Sequence, residues 1–206
     1  MDKKGTKEKL KRLYEFIWKE DTLASWVVSL ILIFLIVYFI FFPLLSLIMG
    51  SPMPLVVVES TSMHHPGGFI ENTLGLESSF GQWWEGKKEW YIERNINYSR
   101  ARGWPLRTGL EMGDIVAVVG ANQLEIGDII IFRANKRHPV IHRIIDIEKE
   151  DGRTIYQTKG DNNRDQIPTE RKILKNQIIG KAIFRIPKVG WVKLGQVEIF
   201  KLIGLN

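Results

Sequence analysis

A stretch with no Asp, Glu, Lys, Arg or His covers residues 22–58 and limits what this chain can fold into more than any other feature. A helix needs about 20 consecutive apolar residues to cross the hydrocarbon core of a bilayer. Residues 23–42 supply them, with aromatic side chains at both ends, as at the two membrane interfaces. A core helix of this length would show a polar face. We therefore predict one transmembrane signal anchor over residues 23–49, with Pro43 marking its exit from the membrane.

Basic residues are concentrated before this segment, whereas no Lys or Arg occurs between Gly50 and Gly86. The basic residues are Lys3, Lys4, Lys7, Lys9, Lys11, Arg12 and Lys19. The positive-inside rule places residues 1–22 in the cytoplasm and the rest of the chain outside the cell membrane. The apolar core is also too long for a cleavable signal peptide, so we expect an uncleaved, single-pass anchor.

The composition excludes several classes of function. The chain has 206 residues, a net charge of +6 and no Cys, which removes disulfides, thiol nucleophiles and Cys-based metal sites. The N-terminal basic run is explained by topology and by anionic lipid headgroups. We therefore expect membrane lipid, and no nucleic acid, among the partners, and no cofactor or metal.

Short runs rich in β-branched residues follow the anchor and predict a mainly β domain over residues 50–190. The runs are 55–58, 115–119, 129–132, 140–147, 154–158 and 178–186. The pair Asp151-Gly152 between two of these runs is a strong signal for a β-hairpin turn.

Two segments depart from this pattern. Residues 67–112 are rich in Gly and aromatic residues. We interpret them as an insertion that either packs into a core or docks at the membrane interface. Residues 191–206 carry too many charges for a second span, and we expect an amphipathic tail either on the membrane surface or against the domain.

The residues that can perform chemistry outside the membrane form a short set. Ser60 and Ser62 follow the first predicted strand, His142 interrupts an apolar strand, and the polar turn at 159–165 carries Asp161 and Asp165. A serine nucleophile requires a base and a group that orients the base. Each signal alone is also typical of ordinary structure: a serine-rich turn, a packed histidine and an Asx-rich turn.

The motifs, taken in order, resemble those of type I signal peptidases. They are S-x-S-M at 60–63, G-D-I-V at 113–116, G-D-I-I-I-F at 127–132, I-H-R-I at 141–144 and K-G-D-N-N at 159–163. The resemblance is closest to the branch of archaea and the endoplasmic reticulum, where His stands in place of the bacterial catalytic Lys. It covers residues 23 to about 190 apart from the insertion.

The resemblance implies a signal-peptidase-like β-sheet domain on one transmembrane helix, acting as a serine endopeptidase on signal peptides of translocated preproteins. Ser62 would be the nucleophile and His142 the general base. Asp165, or alternatively Asp161, would be the orienting acid, because the acid in the family follows G-D-N-N. The hydroxyl of Ser60 and the N–H of Ser62 would form the oxyanion hole.

The resemblance also implies partners and a substrate site. Preproteins are the expected partners, together with the translocation channel. Small side chains before the cleavage point would enter shallow apolar pockets near the site. The residues expected to line them are Val56, Val58, Ile131 and Val140.

Three other interpretations remain open from the residues alone. Lys159 could replace the histidine in a Ser62–Lys159 dyad. The four histidines His64, His65, His138 and His142 could bind zinc, although they lack the H-E-x-x-H spacing. The chain could also be a non-catalytic membrane adaptor that binds partners through the aromatic insertion.

Overall fold

The computed structural model describes residues 3–67, 77–134 and 139–189 and divides into two compact units. The first is Met1–Ile48 and the second is Met49–Asn206. The predicted tail at 191–206 and the start of the aromatic insertion, at 68–76, lie outside the described residues.

The first unit is helical. Helix α1 covers Lys3–Trp18, and helix α2, Leu23–Ile36, begins where the Thr22 hydroxyl accepts a hydrogen bond from the Ser25 N–H. A π-helical turn, Val37–Phe41, joins α2 to helix α3, Phe42–Met49. The continuous helix Leu23–Met49 has 27 residues and a mean hydropathy of 3.0, so it is long and apolar enough to cross a membrane.

The helix continues past Pro43, the predicted exit from the membrane, as far as Met49. Proline has no N–H to donate, and its ring clashes with a carbonyl of the preceding turn. The wider turn Val37–Phe41 ends two residues before Pro43, and at its end the Phe42 N–H donates to the Val37 carbonyl. Such a π-helical turn changes the hydrogen-bond pattern without ending the helix.

The second unit contains a β-sheet, as predicted, and its strands pair antiparallel. Its strands, in the part of the chain that the structure describes, are β1 Leu55–Val57, β2 Ile115–Val119, β3 Ile129–Phe132, β4 Val140–Glu150, β5 Arg153–Lys159, β6 Ile173–Leu174 and β7 Ile178–Ile186. Their spatial order is β1-β2-β7-β3-β4-β5-β6. The predicted turn joins β4 to β5, with positive φ angles of 50° at Asp151 and 74° at Gly152, as a tight hairpin requires.

Strand β3 is buried on both faces of the sheet. Ile129 and Ile131 contribute to one hydrophobic cluster, which also contains Met63. Ile130 and Phe132 contribute to another. Alternate residues of a strand point to opposite faces, so a continuous apolar run suits a central strand.

In the part that the structure describes, residues 77–112, the aromatic insertion contains helices α4 (Glu77–Ile92) and α5 (Tyr98–Arg102), which sequence periodicity did not indicate. Its rings form a buried cluster that packs on Ile145 of β4. The cluster comprises Phe80, Trp83, Trp84, Tyr91, Ile96, Ala101, Trp104 and Ile145. Of the two interpretations of the insertion, the structure therefore supports packing into a core for these residues.

Candidate active site

Ser62 lies in a turn shortly after β1. The pairing of this strand extends to Val58, whose N–H donates to the Asp114 carbonyl at 2.9 Å. The chain then turns, and the Ser60 and Ser62 hydroxyl oxygens lie 3.1 Å apart. Ser62 is half-buried, so its hydroxyl retains access to solvent.

His142 meets Ser62 from the middle of the sheet. The imidazole belongs to β4, pairs through its backbone with Ile130 of β3 and is 5% exposed. Its Nε2 lies 3.0 Å from the Ser62 Oγ, although the two residues are 80 positions apart in sequence. Antiparallel pairing of β4 in the sheet thus brings a base to the serine.

The other nitrogen of the His142 ring, Nδ1, contacts the carboxylate of Glu170. Glu170 is fully buried at the end of a 3₁₀ turn, Pro168–Glu170. Its second oxygen accepts a hydrogen bond of 2.6 Å from the Ile167 N–H, which fixes the side chain. With a proton on Nδ1, the ring donates to Glu170, and Nε2 is left to accept the Ser62 proton.

The carboxylates named from the sequence occupy other positions. Asp161 is fully buried and contacts Arg143 and His65, with Oδ2 2.7 Å from the Arg143 Nη2 and 3.0 Å from the His65 Nε2. Asp165 is exposed and accepts hydrogen bonds from the Trp90 indole at 3.0 Å and from the Gln166 N–H at 2.8 Å. The geometry thus favours Glu170 over both aspartates as the partner of His142.

Sequence reasoning missed Glu170 because it looked for an acid close to G-D-N-N. A local signal exists: Pro at the first position of a helical turn and Glu at its third are typical of a capped N-terminus. This pattern predicts a short turn whose Glu folds back onto its own backbone. It does not show that the turn will meet a strand residue 28 positions earlier.

The turn at 160–163 holds the serine segment in place. The Asn162 N–H donates to the Ser62 carbonyl at 2.8 Å, and the Asn162 side-chain amide donates to the Thr61 carbonyl at 3.1 Å. A Cβ on Gly160 would lie 2.8 Å from the Ser62 carbonyl oxygen and 2.9 Å from the His142 Nε2. Only glycine allows this turn to come so close to both groups.

Arg143 links this turn to the rest of the domain. Its guanidinium is fully buried and donates to Asp161 and to three backbone carbonyls. The carbonyls are those of Pro105, Leu106 and Gly127. Burial alone would raise the pKa of Asp161, but Arg143 and His65 hold that pKa far below its ordinary range. The aspartate is therefore ionised at neutral pH, where it pairs with Arg143 and His65.

Lys159 is fully buried beside the turn. Its ammonium donates to the Gly160 carbonyl at 3.0 Å and lies over the rings of Trp90 and Tyr91, at 5.0 and 5.2 Å from their centroids. Burial lowers its pKa to about 8. Since His142 contacts the Ser62 hydroxyl, this arrangement favours the histidine over Lys159 as the base.

His64 and His65 each contact a different carboxylate. The His64 Nδ1 lies 2.7 Å from Glu111, and the fully buried His65 contacts Asp161. Burial lowers the pKa of His65 more than Asp161 raises it. His138 lies outside the described residues.

The four predicted pocket residues differ in exposure. Val58 and Ile131 are 2% and 0% exposed, so they belong to the core and offer no surface to a substrate. Val56 and Val140 are half-buried, and they pack against two different clusters. Within this group, only the half-buried pair presents surface that a ligand could contact.

A hydroxyl, an imidazole and a buried carboxylate in series form the arrangement that serine proteases use to activate a nucleophile. Here they lie on an antiparallel β-sheet domain that follows one long apolar N-terminal helix. This arrangement is of the kind found in serine hydrolases, and the helix is long and apolar enough to serve as a membrane anchor.

Comparison with known proteins shows which proteins this chain resembles. The chain is 41% identical over 76 residues to the signal peptidase complex catalytic subunit sec11 of Dictyostelium discoideum, a match covering 34% of this chain and 42% of that protein. It is 33% identical over 72 residues to signal peptidase I W of Bacillus subtilis, covering 34% of this chain and 36% of the relative. No protein-family model matches the chain.

The matched part therefore spans less than half the length of each relative. Over that part, the chain is similar to members of the signal peptidase I family.

Proposed function

We propose that this protein is a membrane-anchored serine endopeptidase that removes N-terminal signal peptides from translocated preproteins. The observation that carries the proposal is the 3.0 Å contact between the Ser62 Oγ and the His142 Nε2, with Glu170 on the other ring nitrogen. The similarity to two signal peptidases supports the choice of substrate class.

In the first step, the Ser62 oxygen attacks the carbonyl carbon of the scissile peptide bond while its proton moves to the His142 Nε2. Glu170 stabilises the resulting imidazolium and keeps the ring in the tautomer whose Nε2 is free to accept the proton. Glu170 thus takes the role that sequence analysis gave to Asp165 or Asp161.

The carbonyl oxygen becomes an oxyanion in this step, and we assign its stabilisation to the Ser60 hydroxyl and the Ser62 N–H. The Ser60 hydroxyl lies 3.1 Å from the nucleophile oxygen, which places a donor beside the reacting carbon. When the C–N bond breaks, the leaving amine takes the proton from His142. Water then attacks the acyl-enzyme with His142 again as base.

The helix Leu23–Met49 would act as the anchor, with the basic segment in the cytoplasm and the sheet domain outside. A signal peptide in the same bilayer presents its cleavage point near the outer interface. Anchoring raises the effective concentration of enzyme and substrate at that surface. Half-buried Val56 and Val140 are the candidates for contacts with small substrate side chains.

The test uses the full-length protein in liposomes with a model preprotein that carries an Ala-x-Ala site. We expect cleavage at that site by the wild type and none by Ser62→Ala or His142→Ala. Cleavage that survives in Ser62→Ala would disprove the mechanism. Loss of cleavage in Lys159→Met, with normal folding and an active His142→Ala, would instead support the lysine dyad.

A folded wild-type protein that cleaves no preprotein, but whose aromatic insertion becomes protected when a partner is added, would support the adaptor interpretation. The burial of Trp83, Trp84 and Tyr91 argues against that outcome, because these rings contact one another inside the domain and are not available to a partner.

A further inference from the structure

One face of helix α4 lies along the turn that holds the serine segment. Trp83, Lys87 and Trp90 are spaced at i, i+4 and i+7, so their side chains project from the same side of the helix. Each donates a hydrogen bond to the segment 161–165, and the three acceptors follow one another in the same order along the chain.

The contacts are specific in chemistry. The Trp83 indole N–H donates to the Asp161 carbonyl at 2.9 Å. The Lys87 ammonium donates to the Asn162 carbonyl at 2.8 Å and lies 3.4 Å from the Asn163 carbonyl. Two of the three helix side chains thus bind backbone carbonyls of the turn. These contacts fix the backbone path of the turn and do not depend on which side chains the turn carries.

The opposite side of the same turn contacts the serine segment. Asn162 binds the carbonyls of Ser62 and Thr61 through its backbone and side-chain N–H groups. The Asp161 N–H lies 3.4 Å from the Met63 Sδ. A second connection bypasses the turn, because the Trp83 ring stacks on the His65 ring with centroids 4.4 Å apart.

We propose that α4 positions the nucleophile, with Trp83 and Lys87 as positioning residues that act on Ser62 through Asp161 and Asn162. This inference rests on the proposed function. The Lys87 contact carries a full charge, and hydrogen bonds from charged donors are shorter and stronger than neutral ones. The Trp83 indole on the Asp161 carbonyl also polarises the peptide unit that contains the Asn162 N–H, and this N–H in turn donates to the Ser62 carbonyl.

Lys87 offers the cleanest variant, because it is only half-buried and its neighbour Lys88 is a matched control. Lys88 has the same side chain on the same helix but binds Glu85 instead of the turn. The full-length protein in lipid nanodiscs is compared as Lys87→Met, Lys87→Arg and Lys88→Met. Trp83→Phe, which keeps a stacked ring but removes the N–H, is compared with Trp84→Phe in the same cluster.

We expect Lys87→Met to lower kcat about tenfold with KM and the unfolding temperature unchanged, because small displacements of a reacting group are costly to catalysis. Lys87→Arg, which keeps a cationic donor, should recover most of the rate, and Lys88→Met should match the wild type. The proposal is overturned if Lys87→Met cleaves as fast as Lys88→Met, or if its loss is matched by a lower unfolding temperature.

Hydrogen exchange separates this proposal from the proposed function. Amides of 60–63 and 160–163 should exchange faster in Lys87→Met than in Lys88→Met, whether or not the wild type cleaves a preprotein. Equal exchange in the two variants overturns the positioning role. Faster exchange in a protein that cleaves nothing supports the positioning link and rejects only the peptidase activity.

Discussion

Glu170 reaches Nδ1 of His142 from a 3₁₀ turn that begins at Pro168, and its other carboxylate oxygen is bound by the backbone N–H of Ile167. One carboxylate oxygen of Glu170 thus contacts the imidazole ring, and the other accepts a hydrogen bond from the backbone of the turn. The side chain has little freedom to swing away, and the buried imidazole keeps a fixed orientation toward Ser62.

Replacing Glu170 by Gln should abolish most activity. The amide keeps the size of the side chain but cannot stabilise an imidazolium, so we expect kcat to fall by about 10²- to 10⁴-fold. Steady-state cleavage of the model preprotein provides the measurement. Asp165→Asn is the control, since that carboxylate is exposed and bound to Trp90, and it should retain nearly full activity. The reverse ranking would return the role of the acid to Asp165.

Removing the Ser60 hydroxyl tests the oxyanion hole. Ser60→Ala should lower kcat by about 10²- to 10³-fold with little change in KM, because the donor acts on a charge that develops in the transition state. Ser60→Thr keeps a hydroxyl and should retain more activity than the alanine variant. A larger effect on KM than on kcat would show that Ser60 binds the substrate in its ground state.

Gly160→Ala should impair catalysis, because the added methyl group would collide with the backbone of Ser62 and with the ring of His142. The new Cβ would meet the Ser62 carbonyl oxygen at 2.8 Å and the His142 Nε2 at 2.9 Å, closer than real Cβ contacts allow. We expect a loss of kcat together with a lower unfolding temperature. Gly86→Ala in helix α4, where a Cβ meets nothing within 4 Å, is the control and should stabilise the protein by about 0.5–1 kcal/mol.

Arg143 should not tolerate Lys. The guanidinium serves Asp161 and backbone carbonyls at once, whereas an ammonium is a compact donor without this planar geometry. Breaking a buried ion pair costs about 3–5 kcal/mol, since the remaining charge is left without compensation. We expect Arg143→Met to approach this loss and Arg143→Lys to lie between it and the wild type. Denaturant titration measures the free energy of unfolding.

Stability should decrease as the pH falls, in two stages. The folded pKa of His65 lies below its unfolded value, so below about pH 6.5 the unfolded chain takes up a proton that the folded chain does not. The folded pKa of Asp161 is also depressed, so a second loss begins below about pH 4. The free energy of unfolding, measured between pH 7 and pH 3, should show both stages.

The variant His65→Gln isolates the first stage, because glutamine does not titrate in this range. The difference in unfolding free energy between the two proteins should change between pH 7 and pH 5. A constant difference would show that His65 contributes no proton linkage.

The strands could be predicted from the sequence because each is a short β-branched run between turn residues. The limits 115–119, 129–132 and 178–186 coincide with β2, β3 and β7. Strand β6 was not predicted, because its two residues, Ile173 and Leu174, are too few to show an alternation of apolar and polar side chains. The helices of the insertion were not predicted, because the aromatic residues of α4 follow no clear period in the sequence. The burial of these rings depends on their contacts with one another.

Ser62 and His142 were singled out from the sequence, and the structure places them in contact; their catalytic roles stay predictions. Glu170 could not be found in that way, since its contact with His142 depends on how the chain after β5 returns to the sheet. Asp161 resembles a catalytic acid in sequence, yet its burial beside Arg143 makes it part of the framework.

The nucleophile and its base are 80 positions apart in sequence, and the carboxylate lies another 28 beyond the base. No short fragment of the chain contains all three groups, and a ribosome must extend the chain past Glu170 before they can meet. A newly made molecule would therefore remain inert while it is being inserted. Its ability to cut would report that the three segments carrying these groups have folded against one another.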